Sequence, residues 1–231
     1  MAEFVLVAGA WLGSSAWDEV VAPLRAAGHG THALTLSGLA EKRGVPAGQQ
    51  THVQDIVDEI ERGDLRDVVL VGHSYSGIPV GQAAERIGER LARVVFVDSE
   101  VPVDGGSFAS GWWQGQAAFE AQIAGNNGYW APLGAADFDG QGLTDEQVAR
   151  LIEGSTPHPG ATLTEPAVLT RLLGELPATY VKCLLDGPEP NDTVAKLLTS
   201  DYWRLVTMDT GHWPMFSQPA ELARILLAEA A

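Results

Sequence analysis

The sequence contains a single cysteine, Cys183, among its 231 residues. One thiol allows no disulfide within the chain, so the sequence is not one of the small secreted folds that disulfides hold together. Cys183 stands in the apolar segment 180–185. We expect it to be a small buried side chain and not a nucleophile, because no general base stands beside it in the sequence.

Basic residues are also scarce. The chain has 14 lysines and arginines against 30 aspartates and glutamates, which gives a formal net charge of −16. Nucleic acids and anionic membranes require a basic surface, so we expect neither as a partner. The acidity is interpreted as a contribution to solubility, with attraction of cationic substrates as the weaker alternative.

Long apolar segments and targeting patterns are missing as well. No stretch is long and apolar enough to predict a transmembrane helix. The first residues enter a strand pattern directly, without the basic region and apolar stretch of a signal peptide. These features lead us to expect a cytoplasmic protein.

The sequence lacks the patterns of a cofactor or metal protein. Gly9 and Gly13 flank three residues after the first strand, but the G-x-G-x-x-G spacing of a dinucleotide site is absent. Leu36, at the end of the second predicted strand, is followed by Ser37 where such a site has an acidic residue. No histidines or cysteines have metal-ligand spacing. We therefore expect no cofactor and no metal.

What is present indicates one globular domain over residues 1–231. Apolar residues make up 45% of the chain, which is enough for a sizeable core. Short β-branched runs alternate with amphipathic helical patterns up to about residue 100 and again near the C-terminus. This alternation predicts an α/β fold with a doubly wound, mainly parallel sheet. Residues 101–176 break the alternation and are interpreted as an inserted, mostly helical cap.

The most informative segment covers residues 67–77. A β-branched apolar run leads into GHSYSG, with Ser74 at its centre, and a helical pattern follows. A strand, a sharp turn with a serine at its tip and then a helix form a nucleophile elbow, which projects the serine oxygen above the sheet. The usual motif is G-x-S-x-G, and here Ser76 replaces the second glycine. The prediction therefore depends on partners for Ser74 elsewhere in the chain.

Two polar residues that each follow a late strand pattern are candidate partners, Asp186 and His212. The carboxyl ends of parallel strands share one edge of a sheet, so these side chains are predicted to meet Ser74 there. Ser74 would be the nucleophile, His212 the general base and Asp186 the acid that orients the base. Asp98 also ends a strand and remains an alternative for the acid.

Acyl transfer also needs two backbone N–H donors for an oxyanion. Tyr75, directly after the nucleophile, is expected to supply one, and Ala10, in the loop after the first strand, the other. Large aromatic side chains of the cap and the neighbouring loops are expected to shape an apolar substrate pocket, although some would pack in the cap core. These are Trp11, Trp112, Trp113, Phe119, Trp130 and Trp213.

Several segments resemble the α/β-hydrolase superfamily. They are FVLV and the following Gly-Ala near the N-terminus, VLVGHSY at the elbow, YVKCLLD at 180–186 and the late Gly-His at 211–212. The chain is most similar to the branch of plant methylesterases, hydroxynitrile lyases and their bacterial relatives, and TPHP at 156–159 and TEP at 164–166 look like the cap of that branch.

The resemblance implies a function and a set of roles. Ser74 would be the nucleophile, His212 the base and Asp186, six residues after Tyr180, the acid. The backbone N–H groups of Ala10 and Tyr75 would bind the oxyanion. Esterases of this branch work through an acyl-enzyme and use no cofactor.

At three positions the residue of this chain differs from the usual residue of the branch. Ala8 stands where a histidine usually precedes the glycine, which concerns how the oxyanion loop is held. Ser76 replaces a glycine, a change that a small side chain allows. Trp213 follows His212, where the hydroxynitrile lyases have a lysine. An indole carries no positive charge to stabilise departing cyanide, so the departure favours ester hydrolysis.

The leading hypothesis is a serine hydrolase that cleaves a small to mid-sized, largely apolar carboxylic ester or lactone through an acyl-enzyme. The alternative is a lyase or a cyclising biosynthetic enzyme that uses the same Ser-His-Asp site without an acyl intermediate, and Ala8 motivates it. A ligand-binding receptor on a hydrolase scaffold is a third hypothesis, which an intact triad disfavours. The expected partner is a small molecule, and the sequence leaves a homodimer open.

Overall fold

A computed structural model of the chain describes residues 1–230. Its eight strands are β1 (Glu3–Val7), β2 (Gly30–Leu34), β3 (Val68–His73), β4 (Leu91–Val97), β5 (Tyr129–Trp130), β6 (His158–Pro159), β7 (Ala178–Cys183) and β8 (Trp203–Met208). Six of them form a sheet in the order β2-β1-β3-β4-β7-β8, in which every neighbouring pair is parallel. This arrangement confirms the predicted doubly wound parallel sheet.

Helices cover both faces of the sheet. They are α1 (Asp18–Ala26), α2 (Gln49–Arg62), α3 (Gly77–Arg86), α4 (Gln116–Gly125), α5 (Asp145–Gly154), α6 (Gly160–Thr164), α7 (Asp192–Leu197), α8 (Pro214–Ser217) and α9 (Pro219–Ala228). The apolar sides of α2 and α3 pack on one face, and those of α1 and α9 pack on the other. Within residues 1–230, none of these helices is long and apolar enough to cross a membrane.

The central strands are apolar throughout because both of their faces are buried. In β3, Val68 and Leu70 join the core on the α2 and α3 side, whereas Val69 and Val71 join the core on the α1 and α9 side. Alternate residues of a strand point to opposite faces, so an uninterrupted β-branched run suits a strand that helices cover on both sides. This double packing fixes β3 at the centre of the sheet, and the segment that follows β3 is held with it.

The chain changes direction at β1, which has β2 on one side and β3 on the other. In open parallel sheets, ligands bind at the carboxyl ends of the strands, beside such a point. The loops after β1, β3, β4, β7 and β8 all start from that edge.

The segment between β4 and β7 contains α4, α5 and α6 together with the antiparallel pair β5 and β6. The helix α5 begins at a capping box: Thr144 Oγ1 accepts from the Gln147 N–H at 3.3 Å, and Gln147 Oε1 accepts from the Thr144 N–H at 2.8 Å. The small β5–β6 sheet was not predicted. The division into one domain with a cap at 101–176 remains an interpretation.

Candidate active site

Ser74 lies at a strained turn between β3 and α3. Its φ is +55°, a left-handed conformation that is uncommon for a residue with a side chain and typical of a nucleophile elbow. Ser76 stabilises the turn, because its hydroxyl accepts from the His73 N–H at 2.8 Å and donates to the Val7 carbonyl at 2.8 Å. The serine that departs from the usual motif therefore ties the elbow to the neighbouring strand β1.

The loop after β1 packs directly against the elbow. A Cβ atom on Gly9 would lie 2.7 Å from Ser74 Cβ and 2.8 Å from His73 Nδ1, closer than van der Waals contact allows. Glycine at this position is thus what lets the predicted oxyanion loop approach the serine. In residues 1–230 the N–H of Ala10, the next residue, has no hydrogen-bond acceptor.

His212 links the serine to two carboxylates. Its Nε2 lies 2.9 Å from Ser74 Oγ, and its Nδ1 lies 2.7 Å from Asp98 Oδ2 and 3.1 Å from Asp186 Oδ2. With the proton on Nδ1 facing a carboxylate, Nε2 presents a lone pair to the serine hydroxyl. This is the geometry of a general base aimed at a nucleophile.

The two carboxylates differ in their surroundings. The side chain of Asp98 is 4% exposed, and its Oδ1 accepts from Lys182 Nζ at 2.8 Å and from the Cys183 N–H at 3.1 Å. The side chain of Asp186 is 28% exposed and accepts from the side-chain amide of Gln141 at 2.8 Å. The hydrogen bond from His212 Nδ1 is made to Asp98. The structure thus brings both the preferred acid, Asp186, and the alternative to the same ring.

These charges control the protonation of His212. Burial of the imidazole lowers its pKa, but hydrogen bonds to Asp186 and Asp98, together with their negative charges, outweigh burial and raise the pKa to about 9. The hydrogen bond with His212 in turn lowers the pKa of Asp186 below its usual range, against the opposing effect of burial. The two carboxylates therefore stabilise the imidazolium that His212 becomes when it accepts a proton.

The backbone of His212 is held by two side chains that sequence reasoning did not identify. Its carbonyl accepts from His73 Nε2 at 2.7 Å, and its N–H donates to Gln141 Oε1 at 2.6 Å. A side chain on Gly211 would collide with Gln141, so this glycine leaves room for the amide. Gln141 lies in the cap. Gly211 was the only local sequence feature that indicated close packing of another residue against His212.

On the opposite side of Ser74, the residues predicted to bind an oxyanion are held by uncharged groups. The hydroxyl of Tyr75 lies 2.9 Å from His52 Nδ1, and the N–H of Trp11 donates to His158 Nδ1 at 3.1 Å. Burial lowers the pKa of His52 to about 4 and that of His158 well below its usual value. Both histidines are therefore neutral at physiological pH.

The six aromatic residues predicted to line a pocket do not form one group. Trp11, Trp112, Phe119 and Trp130 pack together, with ring centroids 4.2 Å apart for Trp11 and Trp130 and 4.7 Å apart for Trp112 and Phe119. Phe119 is completely buried, so it is a core residue of the cap and lines no accessible pocket. Of the four residues, Trp112 and Trp130 are half-buried, so part of each side chain is accessible.

The other two predicted pocket residues lie outside this aromatic group, although the Trp213 ring packs edge-on against the His212 ring with centroids 5.0 Å apart. Trp113 is 79% exposed, and among the aromatic rings of residues 1–230 only its neighbour Trp112 approaches it closely, so its place in a pocket stays a prediction. Trp213 packs edge-on against Phe138, with centroids 4.8 Å apart, in the core on the α1 and α9 side.

A polar cavity of about 300 Å³ lies beside His212, on the side of its acidic partners. Potential metal ligands of Asp98, Asp186 and His212 lie within 4.8 Å of one another there. The ammonium group of Lys182 already contacts Asp98 at 2.8 Å and supplies a positive charge at this position. Of these potential ligands, Asp98 already pairs with Lys182, and His212 already contacts the Ser74 hydroxyl.

The chain can now be compared with known proteins. The profile described as the alpha/beta hydrolase family matches residues 4–225. The chain belongs to the alpha/beta hydrolase family.

Curated relatives of this alpha/beta hydrolase extend over nearly the whole chain. It is 32% identical to the carbendazim hydrolyzing esterase of Nocardioides sp., over 99% of both chains. It is 28% identical to methyl jasmonate esterase 1 of Vitis vinifera, over 96% of this chain and 94% of the relative. The second relative agrees with the resemblance to plant methylesterases.

Solved structures show the same fold. An extracellular alpha/beta-hydrolase from a Paenibacillus species aligns with a TM-score of 0.86 at 24% identity, over 100% of this chain and 99% of that one. Polyneuridine aldehyde esterase aligns with a TM-score of 0.75 at 20% identity, over the full length of both chains. At these identities the likeness supports the fold alone.

Proposed function

We propose that this protein is a serine carboxylesterase that cleaves a small to mid-sized, largely apolar ester or lactone through an acyl-enzyme. The observation that carries the proposal is the alignment of Ser74 Oγ, the His212 ring and a buried carboxylate at an elbow, with 2.9 Å and 2.7 Å between successive atoms. A serine hydroxyl needs such a base to become a nucleophile at neutral pH.

In the proposed reaction, Ser74 Oγ attacks the ester carbonyl while His212 Nε2 accepts the hydroxyl proton. The carbonyl oxygen becomes an oxyanion, which the N–H groups of Ala10 and Tyr75 would bind. When the C–O bond breaks, His212 gives the proton to the leaving alcohol and Ser74 carries the acyl group. His212 then takes a proton from water while the water oxygen attacks the acyl carbonyl. The bond to Ser74 Oγ breaks, His212 returns the proton to Oγ, and the carboxylic acid leaves.

We assign the main orienting role to Asp98, and a supporting role to Asp186. Asp98 has the shorter distance to Nδ1, 2.7 Å against 3.1 Å, and the more buried side chain. Lys182 and the Cys183 N–H stabilise its ionised form. Asp186 adds a second negative charge that stabilises the imidazolium during the reaction.

The proposed substrate class rests on the aromatic group and on the relatives. Trp11, Trp112 and Trp130 offer apolar surface next to the predicted oxyanion loop. Two relatives are named as esterases, one of them for methyl jasmonate. A cytoplasmic location stays a proposal, supported by the single buried thiol of Cys183.

The lyase or cyclase alternative has less support. Trp213 packs in the core against Phe138 and brings no cation to the site. The free N–H of Ala10 beside Ser74 suits the oxyanion of acyl transfer. A homodimer stays a prediction.

The test is hydrolysis of p-nitrophenyl acetate and butyrate by the wild type and by Ser74→Ala. We expect the variant to lose at least about 10³-fold in kcat/KM, the usual order for removal of a triad nucleophile. Ser15→Ala is the matched control, because Ser15 is exposed and away from the site. Equal turnover by the wild type and Ser74→Ala would overturn the assignment.

A further inference from the structure

The loop after β1 is held in place by the cap and not by its own side chains. Trp11 has a φ of +67°, an unusual conformation for a residue with a side chain. Its N–H donates to His158 Nδ1 at 3.1 Å, and its carbonyl accepts from the Thr156 N–H at 2.9 Å. Ala8, in the same loop, has no polar side-chain atom to offer. Both backbone polar groups of the strained Trp11 residue are thus bound by the segment 156–158.

The orientation of the His158 ring is fixed by its second nitrogen. Since Nδ1 accepts a hydrogen bond from the Trp11 N–H, the ring proton is on Nε2, which donates a hydrogen bond to Thr162 Oγ1 at 2.8 Å. The Thr162 hydroxyl in turn donates to the Pro159 carbonyl at 2.7 Å. His158 is fully buried, so no water competes for these hydrogen bonds.

The same cap segment reaches the other predicted oxyanion donor. The Tyr75 hydroxyl lies 3.2 Å from the Thr162 carbonyl, and the Tyr75 ring packs edge-on against His158 with centroids 4.7 Å apart. His158 therefore contacts Tyr75 and Trp11, the residue next to Ala10, and Thr162 contacts Tyr75.

We propose that His158 is a positioning residue for the oxyanion site, acting through the N–H of Trp11. The inference rests on the proposed esterase function and adds a role for the cap in catalysis. Ala10 and Trp11 are adjacent, so fixing the Trp11 peptide fixes the direction of the Ala10 N–H. An oxyanion forms only in the transition state, so loss of this alignment should lower kcat much more than it raises KM.

The decisive experiment compares His158→Asn with His158→Gln. The asparagine amide oxygen takes the place of Nδ1 and keeps an acceptor for Trp11. The glutamine amide takes the place of Nε2 and keeps only the contact with Thr162. We expect His158→Asn to stay within about threefold of the wild-type kcat and His158→Gln to lose about 10²-fold, the size of losing one oxyanion donor. KM should change little in either variant.

A second readout separates positioning from a structural role. A trifluoromethyl ketone binds serine esterases as a tetrahedral oxyanion, so its inhibition constant should weaken in His158→Gln in parallel with kcat. If His158 only anchors the cap, the two variants should lose activity equally and bind the ketone equally. That result would overturn the inference.

The inference is also testable in the unaltered protein, in case the variants do not fold. We expect ¹⁵N NMR of the histidine side chains at pH 7 to show a neutral His158 with its proton on Nε2. A proton on Nδ1 would contradict the proposed hydrogen bond from Trp11. Equal turnover by the wild type and Ser74→Ala would instead overturn the esterase proposal. The NMR measurement is independent of that outcome, because it tests only the protonation of His158.

Discussion

Ser74 lies between two networks of opposite character, one charged and partly exposed and the other neutral and buried. On one side the charged network consists of Asp98, Lys182, Asp186 and His212, joined by ion pairs of 2.7 to 3.1 Å. On the other side the neutral network consists of His52, Tyr75, His158 and Thr162, joined by polar contacts of 2.8 to 3.2 Å. The first adjoins the nucleophile through its base, and the second holds the loop that faces it.

The comparison shows how surroundings decide what a histidine does. Two carboxylates raise the pKa of His212 to about 9 against the effect of burial, whereas burial lowers the pKa of His52 to about 4 and outweighs the opposing effects of the Ser37 carbonyl and Asp55. A histidine that exchanges a proton needs charged partners, and a histidine that only holds other groups works best when it stays neutral. The two networks divide these tasks.

The largest effect should come from removing the charge of the closer acid. Asp98→Asn leaves the shape of the side chain but lets its amide present a donor to His212, which favours the wrong tautomer. A loss of about 10³-fold or more in kcat/KM is expected, since the equivalent change in a serine protease triad costs about 10⁴-fold. Steady-state kinetics with p-nitrophenyl butyrate measure it.

The control for this change addresses Lys182. Asp98→Asn leaves the Lys182 ammonium buried without its partner, which is destabilising in its own right. The double variant Asp98→Asn with Lys182→Met removes both charges and should recover stability in urea but not activity. Recovery of activity in the double variant would show that Asp98 serves the fold and not His212.

The neutral network should make the protein sensitive to acid. Its histidine His52 has a folded pKa of about 4, below the value near 6.5 of the unfolded chain, and the pKa of His158 is also lowered. Below pH 6.5 the unfolded state therefore gains protons that the folded state does not, and stability falls. We expect a loss of up to about 3 kcal/mol per pH unit from these two residues between pH 6 and 5.

His212 acts in the opposite direction. Its folded pKa of about 9 exceeds the unfolded value, so the stability it contributes is complete below pH 6.5 and is lost as the pH rises through 9. Urea unfolding at half-unit pH steps should thus show a maximum near pH 6.5. In His158→Asn the slope on the acid side should become shallower, and an unchanged slope would contradict a neutral His158.

A smaller effect is expected from the second carboxylate. Because the base must be neutral to accept a proton, kcat/KM of the wild type should rise with pH up to about 9. Asp186→Asn removes one of the two charges that stabilise the imidazolium. The rising limb of the pH profile of kcat/KM should therefore move to lower pH by about one unit. A pH profile of kcat/KM measures the shift. His158→Asn should leave the limb in place, because His158 belongs to the other network.

The difference between the networks also explains what sequence could predict. The elbow serine and His212 follow strands directly, so local patterns locate them, and the parallel sheet brings strand ends together. The choice between Asp98 and Asp186 depends on how two loops bend toward one ring, which no local pattern records. One signal was present: Lys182 interrupts an apolar strand, and a buried lysine requires an acidic partner.

The neutral network could not be predicted from the sequence, because its contacts join distant parts of the chain. His158 is 147 residues from Trp11, and Thr162 is 87 residues from Tyr75. A histidine between two prolines in the cap gave no indication of its partner. The exposure of Trp113 was equally hidden, since an aromatic residue in an irregular segment can pack either way.

The most direct test of the account is covalent labelling of Ser74. Incubation with a p-nitrophenyl alkylphosphonate, followed by peptide mass spectrometry, should show one adduct on the peptide that contains Ser74. Ser74→Ala should give no adduct, and Asp98→Asn should label far more slowly than the wild type. An adduct on another residue, or ester turnover that continues without any adduct at Ser74, would contradict the proposed acyl-enzyme.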